Sequence, residues 1–143
     1  LGYWNDPEKT AASFFGDWFR TGDVGYLDED GFLYLTDRKK DMIMSGGENI
    51  ASSEVERVIY EMPQVREVAV IGMPDERWGE TPVAIVVLGD GATLNFSELT
   101  DHCRARLGGF KVPKRLIVRD SLPRNPSGKV LKRVLRAELE ATA

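Results

Sequence analysis

The chain has 143 residues, with 19 Lys and Arg against 23 Asp and Glu, and a formal net charge of −4. That length accommodates one compact domain plus something smaller but excludes a large multidomain enzyme, and the acidic balance argues against a general nucleic-acid surface. The one cysteine, Cys103, and the one histidine, His102, supply neither an internal disulfide nor a zinc ligand set, so no protein-held catalytic metal is expected. No apolar run approaches the roughly 18 residues that a spanning helix needs, so no membrane span is expected. The first residues carry no basic-then-apolar leader, so a cytoplasmic location is expected. The loop-like opening, LGYWNDPEKT, has no initiator methionine and reads as a fragment.

From Trp18 to Asp37 two apolar-rich runs flank Asp28-Glu29-Asp30-Gly31, which predicts a β-hairpin with Gly31 at positive φ. In its second arm Phe32, Tyr34 and Thr36 alternate with Leu33, Leu35 and Asp37, so both faces are apolar and call for a larger neighbour. DRKKD, residues 37–41, reads as a linker: a solvated connection or a hinge. MIMSGGENIA then predicts a short hairpin around Ser45-Gly46-Gly47-Glu48. Ser53 and Glu56 read as a capping box that opens a helix carrying Val55, Val58, Ile59 and Met62, stopped at Pro63. Val65–Gly72 and Thr81–Gly89 read as strands joined by a loop, MPDERWGE, long enough for an antiparallel or a crossed connection. Asn95 with Glu98 opens a second helix through Phe96, Leu99, Cys103 and Leu107, ended by Gly108-Gly109. Arg115–Arg119 is a third strand, and Val134, Leu135 and Leu139 predict a last helix. The class is α+β: a short hairpin plus a three-stranded sheet with packed helices, preceded by a separate hairpin.

Three loops hold residues suited to chemistry. In Thr21-Gly22-Asp23 a glycine permits close backbone approach, and a carboxylate can accept from vicinal hydroxyls such as those of ribose; it is equally a simple turn. Ser45–Asn49 has paired glycines that suit an extended ligand or a tight turn. In NPSGKVLKR, Lys129 is a compact mobile cation fit to bridge a carboxylate and a phosphate, or an exposed residue before a helix.

In their order along the chain, GYWNDPEKT, WFRTGDVGYLDEDGFLYLTDRKKDMIMSGGENIASSEVE, IGMPDERWGE and FKVPKRLIVRDSLPRNPSGKVLKRVLR resemble the carboxy-terminal part of the adenylate-forming acyl-CoA synthetases. That superfamily also holds firefly luciferase and peptide-synthetase adenylation domains. The resemblance runs from Gly2 to about Leu139. It implies that residues 1–39 end a large N-terminal AMP-binding domain and that residues 40–143 form a small mobile lobe, with Lys40 at the hinge. It implies ATP, with Mg2+ held by the nucleotide and that N-terminal domain, and CoA; the remaining expected partners are a carboxylic acid and the chain's own N-terminal domain, with no nucleic acid and no membrane span. By the same resemblance Asp23 and Arg38 hold the nucleotide, Lys129 is the catalytic cation of adenylation, and Gly46 and Gly47 line the pantetheine tunnel. The expected parent is a fatty acid–CoA ligase, with the fragment alone inactive. The alternatives are transfer to a carrier-protein thiol, luciferase-like oxidation, or a non-catalytic docking or regulatory module. Lys111 and Arg115 are candidates to attract CoA phosphates, or part of a solvated face.

Overall fold

The computed structural model describes residues 2–142. The chain divides into two compact units, one ending at Lys40 and the other beginning at Asp41.

The first unit holds a short helix, α1 (Pro7–Ala12), a two-residue ribbon of β1 (Phe14–Phe15) with β2 (Trp18–Phe19), and an antiparallel hairpin of β3 (Asp23–Leu27) with β4 (Leu33–Arg38). The α1 helix starts because Asp6 accepts from the Lys9 backbone N–H and Pro7 fits its first turn. The predicted hairpin turn is present: Asp28 Oδ1 accepts from the N–H groups of Asp30 and Phe32, and Gly31 sits at φ +84°. The donation from Phe32 is the largest cause holding the Asp28 carboxyl below its ordinary pKa. Both faces of the hairpin are exposed, with Phe32, Leu33 and Leu35 on the surface. The expected linker is shorter than DRKKD, because Asp37 and Arg38 pair with Val24 and Asp23 in the ladder. Only Lys39–Asp41 is left, as one turn of 3₁₀ helix.

The second unit is built on one five-stranded sheet. The strands are β5 (Ile43–Ser45), β6 (Glu48–Ile50), β7 (Val65–Asp75), β8 (Gly79–Leu88) and β9 (Arg115–Val118). The expected separate hairpin and three-stranded sheet therefore merge. The reason is that β5 joins the β8 edge through Ser45 and Gly79, while β9 runs parallel to the same edge further along, at Val83–Val86. MPDERWGE is mostly strand rather than loop: β7 and β8 pair antiparallel out to Asp75 and Gly79, with Pro74 tolerated because β7 is an edge strand.

The near-continuous apolar runs of β7 and β8 are explained by helices on both faces. On one face Val70, Ala84 and Val86 pack with Val55 and Ile59 of α2 (Ser52–Tyr60) and Leu99 and Cys103 of α3 (Phe96–Arg104). On the other, Ile71, Val83 and Ile85 pack with Leu122 and with Leu135 and Leu139 of α4 (Lys132–Glu140).

The capping box at Asn95 and Glu98 is present, with both reciprocal bonds. Ser53 is not the cap of the other helix: that helix begins two residues earlier than expected, at Ser52, with Ala51 at the cap. Glu56 turns toward the sheet, where it accepts from the Val70 N–H and pairs with Lys132. The α3 helix stops at Arg104, short of Gly108-Gly109, and the N–H groups of Arg106 and Leu107 both turn back onto the Cys103 carbonyl in its last turn. His102 Nε2 lies 2.8 Å from the Val58 carbonyl oxygen and ties α3 to α2.

Burial pushes the Cys103 thiol up from 9.0 to about 11. A thiol this hidden and neutral is expected to resist alkylation at pH 8 in the native protein and to react fully in denaturant. Its contribution to stability is complete below pH 9 and is lost as pH rises through about 11, because the unfolded thiol ionises first. Fast native labelling would contradict this placement.

Candidate functional site

In the first unit the hairpin register sets Asp23 opposite Arg38, and Arg38 Nε lies 2.8 Å from Asp23 Oδ1. Gly22, at φ +75°, reverses the chain just before the strand and accepts from the Lys39 N–H, while the Thr21 hydroxyl accepts from the Asp23 N–H. The backbone around Asp23 is therefore held on both sides, and its carboxylate is met by Arg38. Its side chain remains 23% exposed, so the second oxygen can accept from a pair of hydroxyls. The structure thus brings together two of the residues singled out in the sequence.

In the second unit Lys129 stands at the end of a tight five-residue turn. Asn125 exchanges backbone bonds with Gly128 and Lys129, and its side-chain oxygen accepts from the Lys129 N–H at 2.8 Å and from the Ser127 hydroxyl. Pro126 presets φ at the first corner, and Gly128 takes φ +83°, which a residue with a Cβ adopts only with strain. This repeats the turn at Asp28–Phe32: an Asx residue opens it and a glycine occupies the fourth place. Both mouths of this turn are closed by bridges, Arg124 with Val130 and Leu131 with Pro123. The backbone is thereby rigid while the Lys129 side chain is exposed, with no ion pair to its ammonium among the described residues.

Gly46 and Gly47 form the two-residue turn of the β5–β6 hairpin, with φ +60° and +87°, as a type I′ turn requires. The Gly46 N–H donates to the Trp78 carbonyl, and the Met44 N–H donates to Glu80 Oε2, so the turn is clamped to the start of β8. Beside it lies a cavity of about 340 Å³ lined by Ser45, Gly46, Glu48, Trp78, Phe110 and Lys114. Trp78 thus serves both as the acceptor that holds the turn and as a wall of the cavity.

Lys111 does not present a free charge, because its ammonium sits 2.7 Å from both oxygens of Glu54. The cation at the cavity is Lys114, which the sequence did not single out. Among the described residues no cluster of three or more His, Cys, Asp or Glu is grouped to hold a metal ion. No helix of the described residues is long and apolar enough to cross a membrane.

The Lys129 turn and the Gly46-Gly47 turn are held at opposite ends of one ladder. Arg124, at the base of the former, pairs with Glu67 near the start of β7; the latter meets β8 at Gly79, opposite Asp75 at the far end of β7. Those anchor points are about 27 Å apart at a strand rise of roughly 3.4 Å per residue.

Residues 54–129 match the model of the AMP-binding enzyme C-terminal domain. The chain belongs to the AMP-binding enzyme C-terminal domain family. The resemblance to the carboxy-terminal part of the adenylate-forming acyl-CoA synthetases is borne out, as is the α+β class. The chain is 51% identical over 140 residues to the long-chain-fatty-acid–CoA ligase FadD13 of Mycobacterium tuberculosis, covering 98% of this chain and 28% of that one. It is 49% identical over 141 residues to a 2-succinylbenzoate–CoA ligase of Geobacillus kaustophilus, covering 99% and 29%. Among solved structures, ATP-bound MatB from Rhodopseudomonas palustris superposes with a TM-score of 0.88 at 43% identity, covering 97% and 28%. The chain thus spans under a third of the length of these relatives.

Proposed function

We propose that this family member is the C-terminal portion of an AMP-forming carboxylic acid–CoA ligase, and that its second unit serves two half-reactions in turn. In the first, a carboxylate oxygen attacks the α-phosphorus of ATP, an acyl-adenylate forms and pyrophosphate leaves. In the second, the CoA sulfur attacks the acyl carbonyl and AMP leaves. Asp23 accepts from the ribose hydroxyls, with Arg38 orienting its carboxylate and facing the nucleotide. Lys129 bridges the attacking carboxylate and the phosphate oxygens. Gly46 and Gly47, with the adjoining cavity, admit the pantetheine arm, and Lys114 offers a charge to the phosphates of CoA.

The carrying observation is the separation of the two turns along the β7–β8 ladder. Loops held that far apart on one rigid sheet cannot both reach one reacting centre at once, which supports a lobe that reorients at Lys40, in the 3₁₀ turn between the units. Residues up to 39 would then close the large N-terminal domain, whose remainder would cover the exposed Phe32, Leu33 and Leu35. The present chain alone would be inactive. A fatty acid is the proposed acid, on the strength of the Mycobacterium relative's name, in a cytoplasmic enzyme.

The full-length protein, given ATP and a panel of long-chain and aromatic acids, is expected to release pyrophosphate with a fatty acid and to turn over only when CoA is added. A carrier protein substituting for CoA would change the acceptor. Absence of acid-dependent pyrophosphate release across the panel would overturn the proposal.

A further inference from the structure

We infer that Arg124 is a positioning residue for adenylation: its forked guanidinium ties the tip of the Lys129 turn to the sheet and thereby aims the ammonium. One nitrogen donates to the Gly128 carbonyl, on the residue immediately before Lys129, at 2.5 Å. The other pairs with Glu67 Oε2 on β7 at 2.5 Å. Among the described residues, the remaining hydrogen bonds of Asn125–Lys129 run within the turn itself, from Asn125 to Ser127, Gly128 and Lys129. Those internal bonds fix the shape of the turn; its base is seated by Val130 on the core, and Arg124 is the side chain that ties its tip to β7. A guanidinium can meet two acceptors in fixed geometry, whereas an ammonium offers a point charge without a fork.

Arg124 and Glu67 are both partly exposed, at 44% and 26% of their side chains, and an ion pair so placed adds little to global stability. Its consequence lies in geometry: a misplacement of about 1 Å at a reacting centre can cost 10²-fold in rate. The role proposed for Arg124 rests on that proposed for Lys129.

The test is a double-mutant cycle in the full-length protein, read as pyrophosphate release in the adenylation half-reaction. Arg124→Ala is expected to lower kcat about tenfold, with KM for ATP and acid near wild type, since it moves a catalytic group without touching substrate. In the Lys129→Ala background the same change should cost nothing more. Arg124→Lys should recover part of the rate. Glu67→Gln, which leaves Arg124 able to reach Gly128 but weakly anchored to β7, should lose part of it, again in kcat.

An equal loss from Arg124→Ala in both backgrounds would overturn the inference, as would a parallel loss of thioester formation from supplied acyl-adenylate. Wild-type adenylation by Arg124→Ala alongside a defective Lys129→Ala would remove this inference and leave the proposed function standing. Full adenylation by Lys129→Ala would remove both.

Discussion

Lys129→Ala in the full-length protein is expected to slow adenylate formation by roughly 10² or more, the scale of losing one electrostatic stabiliser, with thioester formation from supplied acyl-adenylate nearly intact. The reason is electrostatic. A carboxylate must approach a polyphosphate, and two unit charges about 4 Å apart repel by roughly 4 kcal/mol at an effective dielectric constant near 20. A cation placed between them offsets that repulsion, and losing 10² in rate corresponds to about 2.7 kcal/mol of it. No covalent nucleophile is required of the lobe. The turn that presents Lys129 is already ordered by Asn125, Pro126 and Gly128, so little backbone freedom has to be frozen when the charge engages.

In the second half-reaction the attacking group is a thiol and the leaving group is AMP, so a cation between carboxylate and α-phosphate has no part. Because Lys129 is exposed, its truncation should leave the thermal midpoint within error of wild type. Lys129→Arg keeps the charge but imposes a planar fork in place of a point charge, and should recover only part of the rate. Single-turnover measurements of the two half-reactions separate these outcomes. Equal damage to both would contradict the assignment of Lys129 to adenylation.

The elements legible in the sequence were those set by local chemistry. Asn95 and Glu98 satisfy each other three residues apart, and Asp28–Gly31 folds on its own hydrogen bonds, so a reader of the sequence sees them complete. Ser53 and Glu56 show the same spacing, but Ser53 lies inside a helix capped at Ala51, and the Glu56 carboxylate meets the Val70 N–H and Lys132 from distant parts of the chain. MPDERWGE has the composition of a loop, but register with the apolar part of the ladder carries its pairing to Asp75.

The candidate site divides in the same way. Asp23, Gly46, Gly47 and Lys129 stand in turns whose glycines and Asx residues announce them. Arg124 and Glu67 are 57 positions apart, and Lys111 is spent on Glu54 across the same separation. No sequence pattern reveals which of several basic residues will be neutralised and which left to meet a ligand.

The turn at Gly46 offers a comparison that separates strain from encroachment. Gly46→Ala is expected to lower kcat/KM for CoA by roughly 10², the scale of a misplaced binding element, while the adenylation half-reaction stays near wild type. A Cβ at Gly46 would lie 2.9 Å from Cε3 of Trp78, so either the turn lifts from β8 or the indole swings, and each movement reshapes the cavity wall. Gly47→Ala is the control, since its Cβ would meet nothing within 4 Å although its φ is also positive. Both variants bear the left-handed penalty of about 1 kcal/mol on stability, and Gly46→Ala adds the cost of the collision, so both thermal midpoints should fall, that of Gly46→Ala further. Only Gly46→Ala intrudes on the cavity, and only it should weaken CoA use strongly. A small residue in place of the indole, as in the double variant Gly46→Ala with Trp78→Ala, removes the collision and should restore part of the CoA-dependent rate. If both glycine variants lost CoA turnover equally, turn strain rather than the cavity would be responsible, and the pantetheine arm would have to enter elsewhere.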